Sequence, residues 1–137
     1  MNYSEINGVG ILRFESFSKE SFINHAFSIK KGGVSTGVFE SMNLSFSRGD
    51  SDENVKANYK HFCNSAGFCY ESLVSAKQVH GINIKKVTAQ DCGNGVLKPY
   101  EGEECDGICT NEKGVTLVTH YADCVPVFLI DPKEKCI

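Results

Sequence analysis

No stretch of this sequence is long and apolar enough to cross a membrane. The longest apolar run, Val125 to Ile130, has six residues and is interrupted by Pro126, whereas a helical span takes roughly 20. The N-terminus, Met1 to Phe17, lacks a basic segment followed by an apolar one. No secretory signal is therefore expected, and the cytoplasm is the expected location. No block of like charge is present either. The net charge is −3, and the lysines come together only as the pairs Lys30-Lys31 and Lys85-Lys86. Phosphate-backbone binding needs clustered Lys and Arg, so neither a nucleic acid nor a membrane is an expected partner. Repeats, low-complexity tracts and Pro- or Gly-rich linkers are also missing. With 41% hydrophobic and 23% charged residues in 137, the balance is that of one soluble domain, residues 1–137, with one core.

What is there begins with seven cysteines. In a reducing compartment these are thiols, and the question is which of them bind metal or react. Short strands are expected at Gly10 to Phe14 and at Phe22 to Ile29. Lys30 to Gly37 holds three glycines within its last six positions and reads as a turn. The clearest helix runs from about Ser51 to Ala66. Asp50 or Ser51 can cap it, and Asp50-x-x-Glu53 has capping-box spacing. Val55, Tyr59, Phe62 and Ala66 fall on one face, and Gly67 stands where a left-handed C-terminal residue belongs.

Further on, Leu73 to Lys77 and Ile82 to Val87 read as strands flanking Gln78-Val79-His80-Gly81. Asp91 to Asp106 is turn-rich. Val115 to Thr119 alternates like a strand, and Val127 to Ile130 reads as an apolar strand covered on both faces. Asp131 to Glu134 has the look of a hairpin turn, with Cys136 and Ile137 beginning the returning strand. Many strands with few helices predict an α+β domain, mixed β-sheet layers with flanking helices. A core strand cut after two residues suggests that the chain is C-terminally truncated.

Two residues stand out chemically. His80 follows a strand and precedes Gly81, a residue that lets the backbone turn sharply and leaves room beside the imidazole. Cys124 lies between two expected strands, next to Asp123. Neutral imidazole and thiolate are both zinc donors, but a catalytic zinc site takes three protein ligands and one open position. A buried apolar Cys and a hydrogen-bonded surface His are the bland alternatives. Cys92, Cys105, Cys109 and Cys124 could instead form a four-thiolate site. Cys124 could also be a nucleophile activated by His80 or His120. His25 and His61 read as ordinary strand and helix residues. Gly32-Gly33-Val34-Ser35-Thr36-Gly37 lacks a Walker ending; it is a tight turn, or a loop offering N–H groups to an anion. Asp91, Glu101, Glu103, Glu104 and Asp106 read as a solvated acidic face rather than a calcium site.

Five segments in order resemble one known family. They are Phe27-x-x-Lys30-x-Gly32-Gly33-Val34-Ser35-x-Gly37, then Ser41-Met42-Asn43-Leu44 with the Asp50 turn and Asn58, then Gln78-Val79-His80-Gly81. Asp106-Gly107-x-x-Thr110 and Thr119-x-x-Ala122-Asp123-Cys124-Val125-Pro126-Val127 complete the set. The family is that of the laccase-domain purine nucleoside phosphorylases, also called multicopper polyphenol oxidase-like proteins or peptidoglycan editing factors. The resemblance implies a laccase-domain, CNF-like fold. It implies a single zinc held by His80, Cys124 and a further histidine in a His-Ala-Gly-Trp segment beyond Ile137, with His80 and Cys124 as the catalytic residues. It implies phosphorolysis of inosine, adenosine and methylthioadenosine, with adenosine deaminase activity; the partners would be purine nucleosides and phosphate. Zinc would activate a water for attack on the purine C6. Lys30 stands where the family usually carries Arg, a point charge in place of a bidentate clamp. The alternatives are a copper-dependent polyphenol oxidase, for which four histidines without a His-x-His cluster are little material, and an inactive truncated remnant.

Overall fold

Asn7-Gly8 is the dipeptide most favoured for a two-residue hairpin turn, because both positions need positive φ. In the computed structural model, which describes residues 1–137, the two residues have φ of 52° and 79°. They join β1 (Asn2–Ile6) to β2 (Val9–Arg13), paired antiparallel from Ile6–Val9 out to Asn2–Arg13. The expected strand at Gly10 to Phe14 is thus β2. The strand β1 has almost no buried residue, so its apolar pattern gave no signal. The expected strand Phe22 to Ile29 shrinks to β3 (Phe27–Ser28), which pairs with Ile11 and Leu12. His25, expected on that strand, sits outside it. Its Nε2 accepts from the Phe14 N–H at 2.7 Å, and its ring stacks on Phe14.

The helix α1 spans Asp52–Ala66. Ser51 is the cap: its hydroxyl accepts from the Asn54 N–H. The Asp50–Glu53 box does not form, because the Asp50 carboxylate is taken up by Ser35, Asn43, Asn54 and the Ser51 N–H. Asp52 and Glu53 lie in the first turn, where the helix dipole favours negative charge. At the other end Gly67 is left-handed, and the N–H groups of Gly67 and Phe68 both donate to the Cys63 carbonyl. Arg13 and Asn24 donate to the Ala66 carbonyl, so the last carbonyl of the helix is satisfied from outside it. Val55, Tyr59 and Ala66 are buried and Phe62 half-buried, as the periodicity predicts. Val9, Ile11, Met42 and Ala66 form a core with Leu44, Phe62 and Phe68 packed on it.

By packing, the chain divides into two compact units, Met1–Tyr70 and Glu71–Ile137. The second unit is built on two parallel pairs. The strand β4 (Leu73–Ser75) pairs with β7 (Thr116–Val118), and β5 (Ile84–Lys86) pairs with β6 (Gly107–Cys109). Val74, Val87 and Val115 form its core, with Cys92, Ile108 and Leu117 against them. The α+β class holds: three small sheets and, for the flanking helices, a single α-helix accompanied by short 3-10 turns.

The expected turn at Asp131 is present. Its Oδ1 accepts from the N–H groups of Lys133 and Glu134, and Asp131 bridges Cys136. Ile137 exchanges both backbone hydrogen bonds with Thr110, but Cys136 and Ile137 form only an isolated bridge and a pair of bonds, not a strand. Val127 to Ile130, expected as a strand covered on both faces, forms no strand. Val127 and Leu129 are exposed, and Phe128 and Ile130 are half-buried. Apolar composition alone does not make a buried strand; a neighbouring strand must pair its backbone and packed layers must cover its faces. No helix of the structure is long and apolar enough to cross a membrane.

Candidate functional site

In a parallel pair both strands run out at the same end. The register of β4 with β7, Leu73 to Thr116 through Ser75 to Val118, is prolonged by a hydrogen bond from the Ala76 N–H to the Val118 carbonyl. From that one end the chain continues into Gln78-Val79-His80-Gly81 after β4 and into Thr119 to Cys124 after β7. The carboxyl ends of parallel strands are where open α/β sheets place their ligand crevices. The two segments are also hooked together. The Gln78 Oε1 accepts from the His120 N–H at 2.9 Å.

His80 is exposed and has φ of 61°. The left-handed residue of this turn is therefore the histidine itself rather than Gly81. Three successive N–H groups of the turn point at one carboxylate. Val79 and His80 donate to the Asp106 Oδ1 at 2.9 and 2.7 Å, and Gly81 donates to its Oδ2 at 2.7 Å. Partial desolvation pushes the Asp106 carboxyl upward, but the bonds from Gly81, His80 and Val79 outweigh it and hold the group below its ordinary value. Asp106 is thus half-buried and fully engaged, not part of a solvated acidic face. Asp91 departs from that reading too: it closes a capping box with Thr88. Glu101, Glu103 and Glu104 are exposed, as a solvated face requires.

Cys124 is exposed, on the segment that follows β7. No group of three His, Cys, Asp or Glu side chains gathers anywhere in the chain. Cys92, Cys105, Cys109 and Cys124 therefore do not assemble a four-thiolate site. Cys105 is buried beside the Tyr100 hydroxyl, and Cys92 packs with the valine core. By donor chemistry an imidazole such as that of His80 and a thiol such as that of Cys124 suit zinc, and a catalytic zinc site uses three protein side chains.

The glycine loop of the first unit offers its N–H groups to its own chain. Gly32 and Gly33 donate to the Ser41 Oγ at 3.1 and 3.0 Å, Val34 to the Asn58 Oδ1 at 2.7 Å, and Ser35 to the Ser41 carbonyl at 3.1 Å. The tight-turn reading holds, and the N–H groups of Gly32, Gly33, Val34 and Ser35 are spent within the chain rather than on an anion. Gly33 is obligatory there, since a Cβ would lie 1.9 Å from the Ser41 carbonyl oxygen. Lys30 lies on the rim of an open groove of about 430 Å³ that also presents Met42, Asn43 and Arg48.

The family described as multi-copper polyphenol oxidoreductase laccase matches residues 24–137. The chain belongs to this family. Among its relatives is the purine nucleoside phosphorylase YlmD of Bacillus subtilis, 38% identical over 112 residues, which take in 81% of this chain and 40% of that protein. The crystal structure of YlmD from Geobacillus stearothermophilus superposes with a TM-score of 0.75 at 36% identity, over 81% of this chain and 42% of that one. A Bacillus licheniformis hypothetical protein, YfiH, superposes with a TM-score of 0.82 at 25% identity, over 98% of this chain and 49% of that one. The 137 residues thus span about 40% of the length of the curated bacterial relative they match. Asp106 and Gln78 are the residues whose roles sequence reasoning missed. Both stand inside segments that carry the family resemblance, and that was the available signal.

Proposed function

We propose that this chain supplies part of a zinc-dependent purine nucleoside phosphorylase site, with His80 and Cys124 as metal ligands and catalytic side chains. What carries the reading is the departure of their two segments from the same end of the β4–β7 pair, linked by Gln78 and His120. The names of the relatives support the substrate class. The proposed substrates are inosine, adenosine and methylthioadenosine with inorganic phosphate, and deamination of adenosine is the proposed second activity.

Phosphorolysis forms a bond from a phosphate oxygen to the ribose C1′ and breaks the bond from C1′ to the base. The electron pair goes to the base, which takes up a proton. His80 would offer a ring nitrogen and Cys124 its sulfur to the metal, and both are exposed so that a substrate can reach them. When bound, zinc supplies Lewis-acid polarisation. Asp123, exposed beside Cys124, can orient a ligand or shuttle a proton.

The test is incubation of the chain, supplied with the further histidine segment that the site requires, with zinc, inosine and phosphate. Release of hypoxanthine and ribose 1-phosphate is expected, and should be abolished in His80→Ala and Cys124→Ala. Zinc binding through His80 with all three nucleosides left untouched would make the activity assignment wrong. The family description favours a second reading, copper-dependent phenol oxidation. Phenol oxidation after copper loading, without phosphorolysis after zinc loading, would replace the first reading by the second.

A further inference from the structure

We propose that Asp106 is the positioning residue for His80. The inference rests on the reading of His80 as a metal ligand and adds what aims it. Three consecutive backbone N–H groups converging on one point form a nest, an anion-binding concavity. Here the anion is a side chain of the same chain. Val79, His80 and Gly81 donate to the two Asp106 oxygens at 2.7 to 2.9 Å.

A residue other than glycine leaves the left-handed region unless its surroundings hold it there. His80 has φ of 61°, and its own N–H is one of the two shortest bonds to the carboxylate. With φ fixed, the direction of the Cα–Cβ bond is fixed, and with it the cone through which the imidazole can swing. The carboxylate is itself anchored. The Asp106 N–H donates to the Asn83 carbonyl at 2.9 Å, and the next residue, Gly107, opens β6, paired with Ile84 of β5. The sheet therefore places the carboxylate, and the carboxylate places the histidine. Gln78 does the same on the other flank, where its Oε1 holds the His120 N–H of the segment leading to Cys124. Asp106 spends its oxygens on backbone N–H groups and touches no reacting atom, so its role is positioning.

The experiment compares the parent protein with Asp106→Asn, Asp91→Asn and His80→Ala. Asparagine keeps the shape but turns an NH2 group toward the third N–H. Asp91 caps a turn of the same unit through the Thr88 N–H at 2.8 Å; replacing it costs stability without touching the nest. Three quantities are measured: affinity for zinc added alone, amide exchange at Val79, His80 and Gly81, and the backbone angle of His80 by scalar coupling. In Asp106→Asn, zinc affinity and protection of the three amides should each fall at least about tenfold, with Asp91→Asn within about twofold of the parent. His80 should also leave positive φ. Should the asparagine variant not fold, Asp106→Glu, which keeps the charge and displaces it by one methylene, is read the same way. The proposal is overturned by parent-like zinc affinity in the Asp106 variant, by unchanged exchange at the three amides, or by an equal loss in Asp91→Asn. Equal zinc affinity in the parent and in His80→Ala sinks the metal reading instead. The exchange and the His80 angle in Asp106→Asn then still decide whether Asp106 positions the residue.

Discussion

Asn58 is fully buried on α1 and ties three pieces of the first unit together. Its Oδ1 accepts from the Val34 N–H at 2.7 Å, and its Nδ2 donates to the Ser35 Oγ and the Asn43 carbonyl, both at 2.8 Å. Substitution Asn58→Ala removes all three bonds. Each is worth about 1–1.5 kcal/mol net, so the loss of three should total about 3–5 kcal/mol. With a urea dependence of about 2 kcal/mol per M, the unfolding midpoint should fall by about 2 M. Far-ultraviolet circular dichroism follows α1 and hence this unit. Asn58→Asp should be at least as harmful. The new oxygen would face the Asn43 carbonyl, and the Ser35 hydroxyl already gives its proton to Asp50 at 2.6 Å, so neither contact can be rebuilt. A midpoint shift below about 0.5 M in Asn58→Ala would refute the reasoning, because solvent or rearrangement would then be satisfying the freed groups.

Two further outcomes concern the same network. Gly33→Ala forces a Cβ to 1.9 Å from the Ser41 carbonyl oxygen. The backbone there has to move, at a cost of about 3 kcal/mol or more, read as a fall in the thermal midpoint or a loss of soluble protein. Hydrogen bonds from Ser35 first, then Asn43, Asn54 and Ser51 hold the Asp50 carboxyl at about 2, below its ordinary value of 3.8. A depressed carboxylate stabilises the fold above its unfolded value. That contribution should fade as pH falls from about 4 to about 2, and Asp50→Asn should flatten the dependence of the urea midpoint on pH in this window.

The parts of the fold legible in the sequence were those whose causes are local. The cap Ser51, the apolar face of α1 and the Gly67 terminus all act within a few residues of where they stand. The Asp131 turn is likewise written in its own side chain. The sequence reading failed where a distant partner decides. Phe22 to Ile29 has strand composition, but β2 offers a ladder only to Phe27 and Ser28. Val127 to Ile130 has core composition but no sheet neighbour in its unit to make it a strand. His80 and Cys124 could be named from their types and their motifs. Their placement at one end of a parallel pair follows from a register between Leu73 and Thr116, which no periodicity reveals. Asp106 looked solvated because its three donors stand a strand away, on the turn at Val79 to Gly81.

That same register sets an order of events in folding. The β1–β2 hairpin closes across only Asn7 and Gly8, and hairpins form in roughly 1–10 μs. The β4–β7 pair must instead close a loop from Leu73 to Thr116, at an entropic cost greater by about 2–3 kcal/mol. The framework that presents His80 and Cys124 therefore assembles late, and a nascent chain holds its first hairpin well before it holds the common edge from which their two segments leave.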